Sequence, residues 1–371
     1  MSAINKMNQR GYTMLELMVA MGIMIIISAA SFALFASSVK FSNATYHMTD
    51  AEEALRNAHE VMNRDLTTAG DGLRGIGTIT APLSFVQTFM TRTPVICNDA
   101  NYPCIGIVTS DDSIPANTAV PLSNPAVNFQ TGSDRLSMLT MDTNFNNSNA
   151  VSLLAGKITV AGSNTVLNVG TANIPLFQNN EIYAVLSQNS AAWGVVTNVD
   201  SVSGLVTLSN SDGGFNLNQT VSTAPISVAS SVVTGASTKP ASIVRLSIIQ
   251  YYVDQNGLLM RRVYGVKGAG FIDSVVAEHI TNLQFRYLTN LLDANGYIQQ
   301  PKRVIASATE QSALRQIETS IGVETARAVN AVTNSNSSSN ACGPSPNGKQ
   351  SICSTTATTV RNLQFRQAFG P

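Results

Sequence analysis

The sequence predicts an α+β protein in which one long N-terminal α-helix, apolar in its first half and amphipathic in its second, packs on a β-rich globular head. Three observations predict it. Residues 17–39 carry no charged side chain, 23 positions in succession, which is enough helix to cross a bilayer. From residue 49 the apolar positions Ala51, Leu55, Ala58, Val61, Met62 and Leu66 recur every three or four residues, the period of a single helical face. Beyond residue 72 the chain breaks into short runs rich in Val, Ile, Leu and Thr, separated by Gly, Asn, Asp and Ser, the signature of strands and turns.

The first element is set by what precedes and interrupts the apolar run. Lys6 and Arg10 form a short basic leader that ends at Gly11, and Glu16 is the one carboxylate inside the apolar stretch beyond it. A secretory signal would be shorter and would place its small-residue cleavage site after the apolar run. Here the attractive processing position, Gly11, lies before it, so the apolar segment is expected to stay with the mature protein. Cleavage after Gly11 would make Tyr12 the new amino terminus, one helical turn from Glu16. A lone carboxylate in an apolar helix costs roughly 2.5–3.5 kcal/mol on insertion scales. Glu16 is therefore expected to meet an amine, within one subunit or between neighbours. The blander reading is a membrane anchor whose interfacial Glu16 reaches to the headgroups.

The helix should continue as an amphipathic stem. Glu52 with Arg56, and Glu60 with Arg64, are favourable pairs four residues apart on its exposed side, and Gly70 and Gly72 supply a stop. A helix from residue 12 to about 68 would be on the order of 80–85 Å long. The organisation expected is then a leader over 1–11, a transmembrane or filament-core helix over 12–39, a stem over 40–72 and a head over 73–371. Residues 121–235, poorer in charge and richer in Ser, Asn and Val, mark a possible subdomain or insertion.

Within the head, strands are expected at residues 135–140, 181–186, 193–197 and 205–208. The clearest hairpin runs from residues 243–253 to 258–264 through Asp254-Gln255-Asn256-Gly257, because Asn-Gly suits the left-handed angles of such turns. A strand at 283–287 is followed by a second Asp-Ala-Asn-Gly turn at 293–296, and residues 317–328 are a further candidate. Both turns lack the spacing of a calcium loop. Asn-Leu-Gln-Phe-Arg occurs at 282–286 and again at 362–366, both expected as strands. Residues 330–359, rich in Ser, Asn and Thr, read as a surface loop. Trp193, alone in a strand pattern, reads as core.

Composition points outward and away from chemistry. Lys+Arg and Asp+Glu balance at 22 each and charged residues are 12%, so overall charge gives nucleic acid no basic field to bind. Cys97 with Cys104 and Cys342 with Cys353 form two close pairs. An even count in a chain whose bulk is exported predicts disulfides, local pairing being the simplest of three connectivities. Each such bridge would stabilise by roughly 2–3 kcal/mol. Neither pair has zinc-site spacing. His47, His59 and His279 do not cluster in sequence, and His59-Glu60-Val61-Met62-Asn63 misses the second histidine of H-E-x-x-H. The glycine-rich 265–270 stretch is neither a Walker loop nor a dinucleotide fingerprint, and no G-x-S-x-G elbow is present. No enzyme activity, metal or cofactor is expected.

Arg10-Gly11-Tyr12-Thr13-Met14-Leu15-Glu16-Leu17-Met18-Val19-Ala20 resembles the class III leader of type IV pilins and type II secretion pseudopilins. The resemblance implies cleavage after Gly11 by a prepilin peptidase, methylation of the Tyr12 amine, and a role for Glu16 in registering the subunit in a filament. Tyr12 departs from the family's more usual Phe or Met but keeps an aromatic. The stem at 51–55 and 62–70, and the hairpin at 251–254 and 257–262, look like PilW-like minor pilins. What this implies is a pilin-like fold and a minor pilin that primes assembly and sits at the filament tip. It would be held single-pass in the bacterial inner membrane with its head periplasmic and later displayed on the surface pilus. Its partners would be membrane lipid, then other minor and major pilins and the inner-membrane assembly platform, with twitching motility and adhesion as outputs. A J-type pseudopilin, or a pilus-borne adhesin or DNA receptor, are the alternatives.

Overall fold

The computed structural model describes residues 13–71, 73, 78–89, 103–142, 151–153, 158–161, 164–186, 191–209, 211–212, 215–218, 241–328 and 349–360. Helix α1 spans Met14–Thr68, 55 residues and about 82 Å at 1.5 Å per residue. Its buried stripe is Ala51, Leu55, Ala58, Met62 and Leu66, the stem face expected from the spacing, and the alanines let the helix lie close to the head. Residues 13–43 are all exposed. The helix stops at Ala69. Gly70 then takes φ 74°, a left-handed angle that glycine adopts without steric cost. Its N–H donates to the Leu139 carbonyl at 2.8 Å, tying the stem's end to the head.

The head is built from 17 strands among the described residues. In chain order they begin with β1 (Thr78–Thr80), helix α2 (Leu83–Phe89), β2 (Cys104–Gly106), β3 (Val108–Asp111), β4 (Arg135–Met141) and β5 (Val151–Leu153). Then come β6 (Ile158–Ala161), β7 (Asn164–Asn168), β8 (Ile182–Leu186), β9 (Ala191–Val195), β10 (Asn198–Asp200) and β11 (Leu205–Ser209). The last are β12 (Ala241–Val253), β13 (Leu259–Val266), β14 (Gly270–Ala277), β15 (Ile280–Thr289), helix α3 (Ala308–Ala313), β16 (Leu314–Glu324) and β17 (Ser351–Thr359).

Strand β12, 13 residues long, is the spine of an eight-stranded sheet. Ile243 faces both Val151 and Val185, Leu246 both Met141 and Ile182, and Ile248 both Leu139 and Tyr264. One edge of β12 therefore takes β4 and β5, and the other takes β13 and β8. Strands β14, β3 and β9 extend the sheet beyond β13, β4 and β8. A three-stranded sheet β15-β16-β17 and a four-stranded sheet β10-β11-β7-β6 complete the head, with a short β1-β2 pair. One apolar cluster runs without a break from the stem (Leu55, Met62, Leu66) through Ile249 and Tyr251 of β12 to Phe285, Ile317 and Ile321 of the three-stranded sheet. The four-stranded sheet has a cluster of its own around Leu167, Phe177, Tyr183 and Val206. Within residues 121–235, β4, β5, β8 and β9 belong to the central sheet, while β6, β7, β10 and β11 form this second layer.

The structure adds to the sequence reading and in two places corrects it. The 254–257 and 293–296 turns are present, and their carboxylates serve their own backbones. Asp254 Oδ1 accepts from the N–H groups of Asn256 and Leu258 at 2.9 and 2.8 Å, and Asp293 Oδ1 from those of Asn295 and Tyr297 at 2.8 and 2.9 Å. Trp193 is fully buried and donates to the Thr80 carbonyl at 2.8 Å. The candidate strand at 317–328 is displaced to 314–324. Residues 330–359 were expected as a loop, but 351–359 are strand β17. Its alternate Thr356 and Thr358 face the stem, where their hydroxyls are used, which is why a polar run forms a strand here. The second Asn-Leu-Gln-Phe-Arg, at 362–366, lies outside the described residues.

Candidate assembly site on the N-terminal helix

Helix α1 opens with a capping box. Thr13, extended at φ −74° and ψ 149°, is the N-cap. Its Oγ1 accepts from the Glu16 N–H at 3.3 Å, and Glu16 Oε2 accepts from the Thr13 N–H at 3.2 Å. Each satisfies a donor that the first helical turn would leave unpaired. Sequence reasoning treated Glu16 only as a carboxylate in need of an amine and passed over Thr13. The signal was present, since Thr-x-x-Glu ahead of an apolar run is a helix-start pattern. Gly11 and Tyr12 lie outside the described residues.

Past the capping box the helix is apolar all round. Met14, Leu15, Met18, Met24, Ile25 and Ile26 each leave most of their side chain uncovered. This helix is long and apolar enough to cross a membrane. Burying each such side chain is worth about 1.5–3 kcal/mol, so the segment calls for lipid or a bundle of like helices.

The half of the stem farther from the bare segment is fastened to the head by polar contacts set into the apolar face. Asp65, buried, accepts from the Tyr251 hydroxyl at 2.7 Å and from Arg261 Nε at 2.5 Å. Asn57 Nδ2 donates to the Val276 carbonyl at 3.1 Å. His59 Nδ1 shares a 2.9 Å hydrogen bond with the Thr356 hydroxyl, and Thr358 donates to Asn63 Oδ1. His59 and Asn63 are thus the pair that missed the zinc motif, and their work is to hold β17 on the stem. His47 and His279 are not part of this contact. Among the described residues no group of three or more His, Cys, Asp or Glu could hold a metal ion.

Burial holds the His59 pKa below its ordinary value, with the Ser354 backbone opposing in part. A base whose folded pKa is lowered stabilises the fold above its unfolded pKa, near 6.5, and loses that contribution as pH falls from there toward the folded value. The full chain in detergent is therefore expected to melt at a lower temperature as pH is taken from 7.5 to 5, with His59→Gln flattening that part of the profile. An unchanged slope in the variant would assign the pH dependence to other groups.

Cys104 and Cys353 are each disulfide-bonded. Cys97 and Cys342, expected as their partners, lie outside the described residues.

Comparison with known proteins bears on the helix and hardly on the head. No curated protein matches the chain in sequence. Among solved structures it is similar to a type IV-like pilin, TTHA1219 from Thermus thermophilus, at 9% identity over 50% of this chain and 87% of that one, with a TM-score of 0.21. A likeness that loose carries no argument about the head. The model of the prokaryotic N-terminal methylation motif matches residues 6–32, which takes in the basic leader, Gly11, Tyr12, the capping box and the start of the apolar run. Residues 6–32 therefore carry a prokaryotic N-terminal methylation motif, a class III leader that runs into the apolar start of α1.

Proposed function

We propose that this chain is a minor type IV pilin of the PilW-like kind, an assembly protein rather than an enzyme. One observation carries the reading: a methylation motif leads directly into a helix whose residues 13–43 are entirely uncovered while residues 51–66 are fastened to a head. Half of that helix is finished by its own chain and half waits for others. In the bacterial inner membrane lipid covers the waiting half, with the leader cytoplasmic and the head periplasmic. After cleavage behind Gly11 and methylation of Tyr12, helices of other minor and major pilins take the place of lipid, on the inner-membrane assembly platform. A chain that enters at the start of this exchange primes the filament and ends at its tip. The head's disulfides, with Cys97–Cys104 and Cys342–Cys353 as the local pairing, suit the oxidising side of the membrane.

Mass spectrometry of the amino terminus, from sheared surface filaments and from membranes of the host, tests the reading. A chain starting at methylated Tyr12 and present at low abundance in filaments is the expected result. A chain that retains residues 1–11, or is cut after the apolar run, would overturn it. Processed chain held to membranes with none in filaments would favour a secretion pseudopilin.

A further inference from the structure

Strand β14 ends one side of the central sheet, and its outer edge is bare among the described residues. Register tells which of its main-chain groups face outward. The Asp142 N–H donates to the Arg245 carbonyl and the Asp254 N–H to the Leu258 carbonyl, so odd residues of β12 bond β4 and even ones bond β13. Odd residues of β13 are then left for β14, where Val263 and Arg261 face Ile272 and Ser274. The N–H and C=O groups of Asp273 and Val275 point the other way, and among the described residues they meet no partner. Little in the strand guards this edge. Ile272 to Val275 are exposed in succession, with Ile272 and Val275 at 51% each. The run has no lysine or proline, the residues that usually blunt an edge strand. Its one charge, Asp273, is taken up by Arg262 at 2.6 and 2.7 Å. The nearer register shift lies past Val275 and leaves the exposed run regular.

A charged cavity begins where the strand stops. Val276, Ala277, Glu278 and His279 wall a space of about 510 Å³ against the stem. Of its fourteen lining residues five are acidic (Asp50, Glu53, Glu60, Glu278 and Glu324), six are alanine or valine, and Arg56 is the one arginine or lysine. Glu324 is already paired with Lys349, which leaves a surplus of carboxylates. A strand laid along β14 would bring one of its ends to this cavity. Edge and cavity therefore make one site, with main-chain groups to pair and then negative charge to meet.

Charge and direction choose the occupant. Lipid does not fit, because hydrocarbon offers nothing to a main-chain N–H or C=O and anionic headgroups would face carboxylates. A second copy fits in neither sense. Arg261, the partner of Ser274, bonds Asp65, while Val276 accepts from Asn57, so α1 runs against β14. Two β14 strands paired antiparallel would point the two bare helix halves apart, and both could not enter one membrane. Paired parallel, they would set one acidic cavity beside the other. An extended segment of another protein with basic residues at one end meets both halves of the site. Each strand pair in the central sheet is antiparallel. Added in the same sense, the segment would have its first residues opposite Ala277, by the cavity.

We propose that β14 accepts an added strand from a different protein, an extended segment that starts with lysine or arginine and continues with alternating apolar and polar residues. The inference goes beyond the pilin reading and stands whether or not the chain enters filaments. Its test uses the purified full chain in detergent and a blocked synthetic peptide, two lysines followed by Thr-Val-Thr-Val-Thr. Hydrogen exchange at residue resolution reads the β14 amides. In the free chain the Asp273 and Val275 amides should exchange as an open edge. Saturating peptide should slow them at least tenfold, while those of Ile272 and Ser274, already bonded to β13, change little. A peptide with two glutamates in place of the lysines should bind at least tenfold more weakly. Val275→Pro removes an outward N–H and no bond to β13, a place where an edge strand tolerates proline, and should weaken binding of the lysine peptide at least tenfold. No slowing at Asp273 and Val275, or equal binding of the two peptides, overturns the inference. So does an edge already protected in a chain that runs as a dimer, which would give it to a second copy, or protection by phosphatidylglycerol vesicles alone. Should Val275→Pro fail to fold, the two peptides on the wild-type chain decide by the same criteria.

Discussion

Glu16→Gln is expected to leave cleavage after Gly11 intact while lowering recovery of the chain in filaments by at least tenfold. The substitution separates the capping that the structure shows for this side chain from the charge role proposed for it. Glutamine at this position can still accept from the Thr13 N–H, so the capping box survives. What is removed is the negative charge. For a plain anchor that is a relief, since a carboxylate inside an apolar helix costs roughly 2.5–3.5 kcal/mol and an amide costs less. An anchor would therefore tolerate or welcome the change. In the proposed assembly the charge would meet the Tyr12 amine, and losing it would leave that amine unpaired in a bundle of apolar helices. A few kcal/mol there corresponds to a factor on the order of 100 in equilibrium. Glu16→Ala loses both jobs and should behave no better. Thr13→Ala loses the cap, worth about 1 kcal/mol, and keeps the charge, so it should lower incorporation only slightly. The measurement is the ratio of filament-bound to membrane-bound chain in each variant. Wild-type incorporation of Glu16→Gln beside failure of Glu16→Ala and Thr13→Ala would show that capping, not charge, is what Glu16 supplies.

The helix was legible because its evidence is local. Twenty-three uncharged positions and a three-four repeat state the two halves of α1 without reference to the rest of the chain. Strands β12 and β13 were legible for the same reason: long alternating runs joined by Asn-Gly. Strands β1, β2 and β3, of three or four residues each, carry too little pattern to be read. β1 and β2 exist by pairing with each other, and β3 by pairing with β4 of the central sheet. β17 failed differently. Ser351-Ile352-Cys353-Ser354-Thr355-Thr356 reads as loop beside the Ser/Asn-rich stretch before it, yet β-branched threonines favour a pleated surface. It is the stem that makes the Thr356 and Thr358 hydroxyls useful. The same dependence hid His59 and Asn63, which sequence could dismiss as zinc ligands but could not assign. At the assembly site Glu16 was singled out and Thr13 was not, although both belong to one four-residue pattern.

Asp65 is the position where sequence said least and the structure stakes most. Its partners Tyr251 and Arg261 are 186 and 196 residues away, a separation no local pattern can announce. The carboxylate sits on the buried stripe between Met62 and Leu66, with the Tyr251 side chain fully buried and Arg261 about a quarter exposed. Asp65 and Arg261 compensate each other's desolvation, and the Tyr251 hydroxyl is spent on the same oxygen. Burial, with the Asp65 charge adding to it, drives the Tyr251 pKa far above its ordinary value, so the hydroxyl remains a donor at any physiological pH. Asp65→Ala would strand a guanidinium and a hydroxyl at the stem–head contact and open a small void beside Met62. Breaking a fully buried ion pair costs about 3–5 kcal/mol, and with Arg261 partly solvated about 3 kcal/mol is expected here. That is a large share of the 5–15 kcal/mol that holds a typical domain together. Urea unfolding of the full chain in detergent, followed through tyrosine fluorescence, should show a clearly lower midpoint. The triple variant Asp65→Leu/Tyr251→Phe/Arg261→Met should recover much of the loss, because replacing all the partners removes the uncompensated charge. A midpoint unmoved by Asp65→Ala would mean that the apolar stripe alone holds stem to head. Stability near wild type in the triple variant, combined with poor entry into filaments, would mean instead that the polar lock sets the angle between helix and head. That angle decides whether the bare half of α1 can reach a neighbour.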